Sequence, residues 1–272
     1  MKRAFVAVLL VSLGLGGCTN VSTTNGGVLG VDREQFMFDA LSSREMNLSY
    51  AQSYKSYVLK AAEKGQLATD TPQGKHLQEI AVRLVVQAPV FKPAASKFGW
   101  HISLIRSNEM NANCGPGGKI IVYTGLLDRL KLTDDEIAAV LGHEIAHALR
   151  EHSREQASSS AAFELVGTLG ASALGAGSLG KTAITQVLKT GVGLPFSRRD
   201  ETEADLMGLE LAARAGFDPR AAITLWKKMD TLGDSSMMPA FLRTHPTNED
   251  RILVLREAIP KVMPLYVAAD KQ

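Results

Sequence analysis

The sequence predicts an α+β fold, mostly helical, with a small β-sheet beside one central helix. Three observations carry this. With 272 residues, 45% hydrophobic and 21% charged, the chain is long and apolar enough for a globular core. Capping boxes of the form S/T-x-x-E, Ser42 to Glu45 and Thr133 to Glu136, open two helical stretches. Only two short runs read as strands, Trp100–Ile105 and Lys119–Thr124, the second introduced by the turn Pro116-Gly117-Gly118. No internal repeat and no second composition break divides the chain, so one domain is expected.

Taken in order, Met1-Lys2-Arg3 is a charged start, and Ala4 to Gly17 is an apolar stretch too short to span a membrane. It ends Leu15-Gly16-Gly17-Cys18, which resembles a bacterial lipobox. Residues 1–17 are therefore expected to be a lipoprotein signal peptide, with Cys18 acylated and Thr19 compatible with the outer membrane. Residues 18–32, polar and Gly-rich, are expected to be a flexible tether, leaving 33–272 as the folded domain. Removing Lys2 and Arg3 balances the remaining basic residues against the 28 acidic ones, so nothing points to nucleic acid.

A helix is expected from Ser42 to about Lys64, stopped by Gly65, with Tyr50, Tyr54, Tyr57, Val58 and Ala61 as its apolar stripe. Thr71-Pro72 opens another that ends before Pro89. His76 on it reads as surface. Trp100–Ile105 alternates as a half-buried strand with His101 on its polar side. Cys114, with no partner once Cys18 carries lipid, reads as a small buried apolar residue. Residues 161–193 are rich in Gly, Ala, Ser and Leu and are expected to form a small-residue helical hairpin. The uncharged run from Leu165 to Gly180 has too many small polar residues to be a membrane span. Further helices are expected from Glu201 to Ala215, from Pro219 to about Leu232, and after Asn248, the last with Ile252, Leu253 and Leu255 on its apolar side.

The chemistry lies in the middle of the Thr133 helix, which reads L-G-H-E-I-A-H-A-L-R-E-H-S from Leu141 to Ser153. His143 and His147 are four apart, one turn on the same face, so their imidazoles can meet one Zn²⁺. Glu144 is rotated to one side, where it can serve as general base without being a ligand. His152, five beyond His147, is expected to leave that face for solvent. A third ligand is needed, because catalytic zinc keeps three protein ligands and one open position. Glu201 and Asp205, four apart in Glu201-Thr202-Glu203-Ala204-Asp205, fit a carboxylate ligand and an acceptor for a ligand histidine's far N–H. Glu203 is expected to be solvated or paired with an arginine.

H-E-x-x-H followed by E-x-x-x-D is the pattern of the gluzincin metallopeptidases. The runs Asn111–Leu127, Thr133–His147, Glu201–Asp205 and Thr244–Ile252 (T-H-P-T-N-E-D-R-I) resemble the HtpX-like peptidase family, and its soluble lipoprotein-type members in particular. Asn113-Cys114-Gly115 departs from the usual wording there. The resemblance covers about Ser42 to Glu257. It implies a zincin-like fold and one Zn²⁺ held by His143, His147 and Glu201. It also implies polypeptide substrates in the bacterial periplasm and a link to outer-membrane assembly machinery. His245 matches a loop near the active site, as a fourth zinc ligand that latches the enzyme or as an oxyanion donor. The segment Asn111–Thr124, with Asn111, Ala112 and Asn113 foremost, is the candidate strand for pairing with an extended substrate. The alternative function is a periplasmic chaperone or assembly factor whose zinc is latched or mainly structural.

Overall fold

In the computed structural model, residues 18–39, 41–173, 195–233, 239–246 and 249–269 are described. The expected signal peptide, most of the expected 161–193 hairpin, Met237-Met238 and Asn248 lie outside them. Two small sheets accompany nine α-helices among the described residues. Strands β1 (Cys18–Val21) and β2 (Gln35–Phe38) form an antiparallel pair. Strands β3 (His101–Ile105), β4 (Ala112–Gly115) and β5 (Lys119–Tyr123) form the second sheet in the order β3-β5-β4. β3 runs parallel to β5 and β4 antiparallel. The β4–β5 turn needs Gly117 and Gly118, both at positive φ (74° and 79°).

Helix α1 (Ser43–Glu63), started by the Ser42–Glu45 capping box, lies on one face of that sheet. The Tyr54 hydroxyl meets the Ser103 hydroxyl at 2.7 Å, and Tyr57 meets Tyr123 at 2.9 Å. Tyr54 and Ala61 are buried with Ile105, Ile121 and Tyr123. β3 is thus covered on both faces where alternation had predicted one. The polar Ser103 is buried because Tyr54 satisfies it. Helix α2 (Pro72–Val85), capped by Thr71, packs on the opposite face.

Helix α3 (Thr124–Leu130) leads to α4 (Asp134–Leu149), the centre of the molecule. Its Thr133–Glu136 capping box is formed, and every residue from Glu136 to Leu149 except Ala139 is buried. A helix apolar nearly all round must be enclosed. Here α2 and the sheet cover one side, and α6 (Arg198–Arg214) and α7 (Ala221–Gly233) the other. Gly142 of α4 and Gly208 of α6 bring the two backbones into contact. A Cβ at Gly208 would stand 2.6 Å from the His143 nitrogen, and one at Gly142 2.7 Å from the Gly208 carbonyl oxygen. In chain order α5 (His152–Ala173) comes between α4 and α6, and α8 (Ala240–Thr244) and α9 (Glu249–Ala269) follow α7. On α9, Leu255, Ala258 and Val262 are buried. Leu253, expected on the apolar side, is 53% exposed. Among the described residues no helix is long and apolar enough to cross a membrane.

Residues 18–32 do not behave as the expected flexible tether. β1 is paired, Thr24 and Val31 are buried, and the Glu210 carboxylate accepts the Val28 and Leu29 N–H groups at 2.9 and 3.3 Å. The reason is local. Gly-rich backbone around 26–30 can curl, with Gly27 and Gly30 at positive φ, and present N–H groups to a buried carboxylate.

Candidate metal centre

The central helix carries His143, Glu144 and His147 in its buried interior, so their side chains point into protein. Across the Gly142–Gly208 contact, α6 presents Glu201 and Asp205. The turn after α8 presents His245, which is 2% exposed. His143 Nε2 and His147 Nε2 lie 3.0 Å apart. His245 Nδ1 is 3.2 Å from His143 Nε2 and 3.0 Å from Glu201 Oε1. Glu201 oxygens are 3.4 Å from His147 Nε2 and 3.5 Å from His143 Nε2. One donor atom from each of these four residues lies within 4.8 Å of the others.

This donor set fits zinc. Ligand atoms at about 2.0–2.1 Å from a tetrahedral ion stand roughly 3.3 Å from one another, close to the spacings above. The charge balance agrees. Glu144, Glu201 and Asp205 are buried together with one buried guanidinium, Arg251, and buried carboxylates call for a compensating cation. Glu144 Oε1 and Glu201 Oε2 are buried without a hydrogen bond, although Arg251 approaches Glu201 Oε2 at 2.7 Å as an ion pair. Burial lowers His143, but Asp205 and Glu201 outweigh it and raise it to about 9. The same negative field favours a cation at that point. Burial holds His147 well below its usual value and so keeps it neutral. Burial pushes Glu201 up, yet the three imidazoles hold it far below the carboxylate range. Glu144 is raised by burial, against the pull of His245, His143 and the Cys114 N–H.

Around these lie the supports. His143 Nδ1 meets Asp205 Oδ1 at 3.0 Å, as the E-x-x-x-D spacing predicts. Asp205 is clamped by Arg251, whose Nε donates to Oδ2 (2.6 Å) and whose NH2 donates to Oδ1 (2.7 Å). Arg251 stacks over Trp226 at 3.6 Å. The sequence reading missed Arg251, because its partners are 46 and 50 residues away and its place in an amphipathic helix reads as a surface charge. Phe196 stacks on His147 at 4.1 Å and Phe241 on His245 at 4.5 Å.

Two expectations are corrected here. His152 is not solvated. It is fully buried, with Nδ1 2.8 Å from His147 Nδ1 and Nε2 3.1 Å from Glu203 Oε2. The central helix ends at Leu149 and Glu151 turns left-handed (φ 55°), so His152 folds back instead of continuing the spiral. Glu203 is likewise buried, and of its two expected fates the arginine pairing holds, with Arg33 and Arg150. Burial raises Glu203, but hydrogen bonds from His152 and Arg33 prevail and hold it at about 2.

Of the proposed substrate segment, β5 is the central strand and has no free edge. β4 is the edge, and its Cys114 N–H turns away from β5 to donate to Glu144 Oε2 at 3.0 Å. The neighbouring outward N–H of Ala112 is satisfied by the Asn111 side chain at 3.0 Å. Asn113 points to the other face, accepting from the Tyr50 hydroxyl at 3.0 Å. His76 and His101 are exposed, as expected, and Cys114 is buried and unbridged.

Two histidines one turn apart on a buried helix, a carboxylate from a second helix and an edge strand alongside define a zinc peptidase of the zincin type. The chain belongs to peptidase family M48, whose model matches residues 73–259. M48 peptidases are zinc enzymes. The chain is 38% identical over 187 residues to the mitochondrial metalloendopeptidase OMA1 of Schizosaccharomyces pombe, covering 68% of this chain and 54% of that protein. It is 27% identical over 290 residues to the beta-barrel assembly-enhancing protease of Escherichia coli, covering 100% of this chain and 55% of that protein. It thus spans about half the length of each.

Proposed function

We propose that this chain is a zinc-dependent endopeptidase of the bacterial cell envelope, acting on misfolded or misassembled envelope proteins. The observation that carries it is the convergence of His143, His147 and Glu201 beside the Glu144 carboxylate, all within reach of the β4 edge. Zinc bound there lowers the pKa of water towards about 7 and polarises a scissile carbonyl.

The chain's own residues do the rest. His143 and His147 present Nε2, and Asp205 holds His143 by Nδ1. The Cys114 N–H fixes one Glu144 oxygen, leaving Oε1 to take a proton from the attacking water and return it to the leaving amine. The outward N–H and C=O of Ala112 and the C=O of Cys114 pair with an extended substrate, which displaces the Asn111 side chain from Ala112.

His245 is read as a latch. Its Nδ1 faces the ligand atoms and its Nε2 lies 3.3 Å from Glu144 Oε1, so it stands where water and substrate would enter. That inward pose favours the latch over the oxyanion donor. The lipobox-like Leu15-Gly16-Gly17-Cys18 supports a periplasmic protein anchored to the outer membrane through Cys18. The name of the Escherichia coli relative supports a link to outer-membrane assembly.

The test is cleavage of casein or a denatured protein by the purified mature chain beside Glu144→Gln, with zinc measured on both. Loss of cleavage by a factor of about 10²–10⁴ with zinc retained is expected. Undiminished cleavage by Glu144→Gln removes Glu144 as base. A wild type that cleaves nothing yet suppresses aggregation favours the chaperone function.

A further inference from the structure

The two zinc-facing histidines are backed in different ways. His143 leans on a carboxylate, Asp205. His147 leans on a second imidazole: its Nδ1 is 2.8 Å from His152 Nδ1. On an uninterrupted helix a residue five positions on would lie about 140° around the axis. The chain breaks instead at Glu151, which takes a left-handed conformation that costs a non-glycine residue energy. Lys92, Arg154 and Ser43 hold the Glu151 carboxylate at 2.7, 3.0 and 3.2 Å. The break brings His152 behind His147.

The protons then have one consistent arrangement. If His147 turns Nε2 towards the metal, its hydrogen sits on Nδ1 and donates to His152 Nδ1. His152 must carry its own hydrogen on Nε2, which donates to Glu203 Oε2 at 3.1 Å. Glu203 cannot turn away. Arg150 donates to its Oε2 from Nε (2.9 Å) and NH2 (2.7 Å), and Arg33 grips both its oxygens. Arg33 also donates to Glu155 at 2.7 and 3.0 Å. Gln35, fully buried, donates to Glu155 and to the Arg150 carbonyl at 2.6 and 2.7 Å. Arg150 NH1 reaches Thr24 Oγ1 at 3.1 Å. Thr24 lies in the segment 18–32 that composition marks as a linker, and Arg33 and Gln35 follow directly after it. Burying this many charges is costly unless their geometry is used.

We propose that His152 and Glu203 are positioning residues that fix the tautomer and orientation of His147, and that the docked N-terminal segment, through Arg33, completes this support for the metal centre. The inference rests on His147 and Glu201 being ligands. An envelope anchor at Cys18 would then sit about fifteen residues from a side chain that steadies the metal site.

The experiment measures zinc affinity by competition with a chromophoric chelator and the visible spectrum of the Co²⁺-substituted protein. The full mature chain carries His152→Ala, His152→Gln, Glu203→Gln, Arg33→Met or Arg33→Lys, with Glu201→Ala as reference and the melting of each metal-free protein as a check on folding. His152→Ala and Glu203→Gln are expected to weaken zinc about 10–100-fold and shift the Co²⁺ bands. His152→Gln, which keeps an acceptor and a donor, should recover most of the affinity. Arg33→Met should weaken zinc less, in the same direction, and Arg33→Lys should lie nearer wild type. If His152→Ala does not fold, Glu203→Gln and His152→Gln decide. Wild-type affinity and Co²⁺ bands in folded Glu203→Gln and His152→Ala overturn the support role. Wild-type affinity in both Arg33 variants overturns the part given to the N-terminal segment. If Glu201→Ala also keeps zinc, the ligand assignment itself has failed; if only Glu201→Ala loses it, the relay alone has.

Discussion

Replacing Gly208 with alanine should damage the metal centre from a residue that touches no ligand side chain. An added Cβ would stand 2.6 Å from the His143 backbone nitrogen and 2.7 Å from the Gly142 carbonyl carbon. Both are backbone atoms of the histidine-bearing helix, so no rotamer change relieves the contact. Reaching ordinary van der Waals distance requires the two helices to part by about 0.8 Å. Overpacking of this kind costs about 1–3 kcal/mol, while alanine's better helix propensity returns about 1 kcal/mol. The net loss should be about 0–2 kcal/mol, a fall in Tm of up to roughly 8 °C for a domain of this size. Zinc affinity should drop more clearly, at least about tenfold, because Glu201 rides on one helix and His143 and His147 on the other. Metal–ligand distances tolerate only about 0.2 Å. Melting of the chelator-stripped protein and zinc competition on the folded protein measure the two effects separately. A variant that melts at or above wild type and binds zinc equally well would refute the reasoning, since that is what helix propensity alone predicts.

Glu201→Ala should lower zinc occupancy further than Glu203→Ala, one removing a ligand and the other a support two hydrogen bonds behind His147; metal analysis showing the reverse order overturns the ligand assignment. His245→Ala should raise basal proteolysis several-fold if the imidazole is a latch. A fall in activity with zinc retained assigns it instead to the oxyanion, and no change in either removes both roles. Growth with a labelled fatty acid should mark the wild type and leave Cys18→Ala unlabelled; label on the variant means that the lipobox was misread.

The catalytic helix was legible in the sequence because its information is local. A capping box starts it, a four-residue spacing puts two histidines on one face, and backbone hydrogen bonding within sixteen residues builds it without outside help. The E-x-x-x-D pair was legible for the same reason, and the Ser42 and Thr71 helix starts likewise. Residues whose roles depend on partners far along the chain were not. Arg251 carried no sign of its role until tertiary folding set it between Asp205 and Glu201. His152 read as solvated because helical periodicity assumes an unbroken helix, and the break rests on Glu151 being held by Lys92, some sixty residues earlier in the chain. Residues 18–32 read as a linker because Gly, Thr and Asn have low intrinsic order. Their structure comes from Glu210, Arg150 and Phe91, which the fold alone brings to them. Composition and spacing determined which chemistry this chain carries. Only the three-dimensional packing decided which buried charges surround it, because a charge is stable in the interior only beside partners that sequence distance conceals.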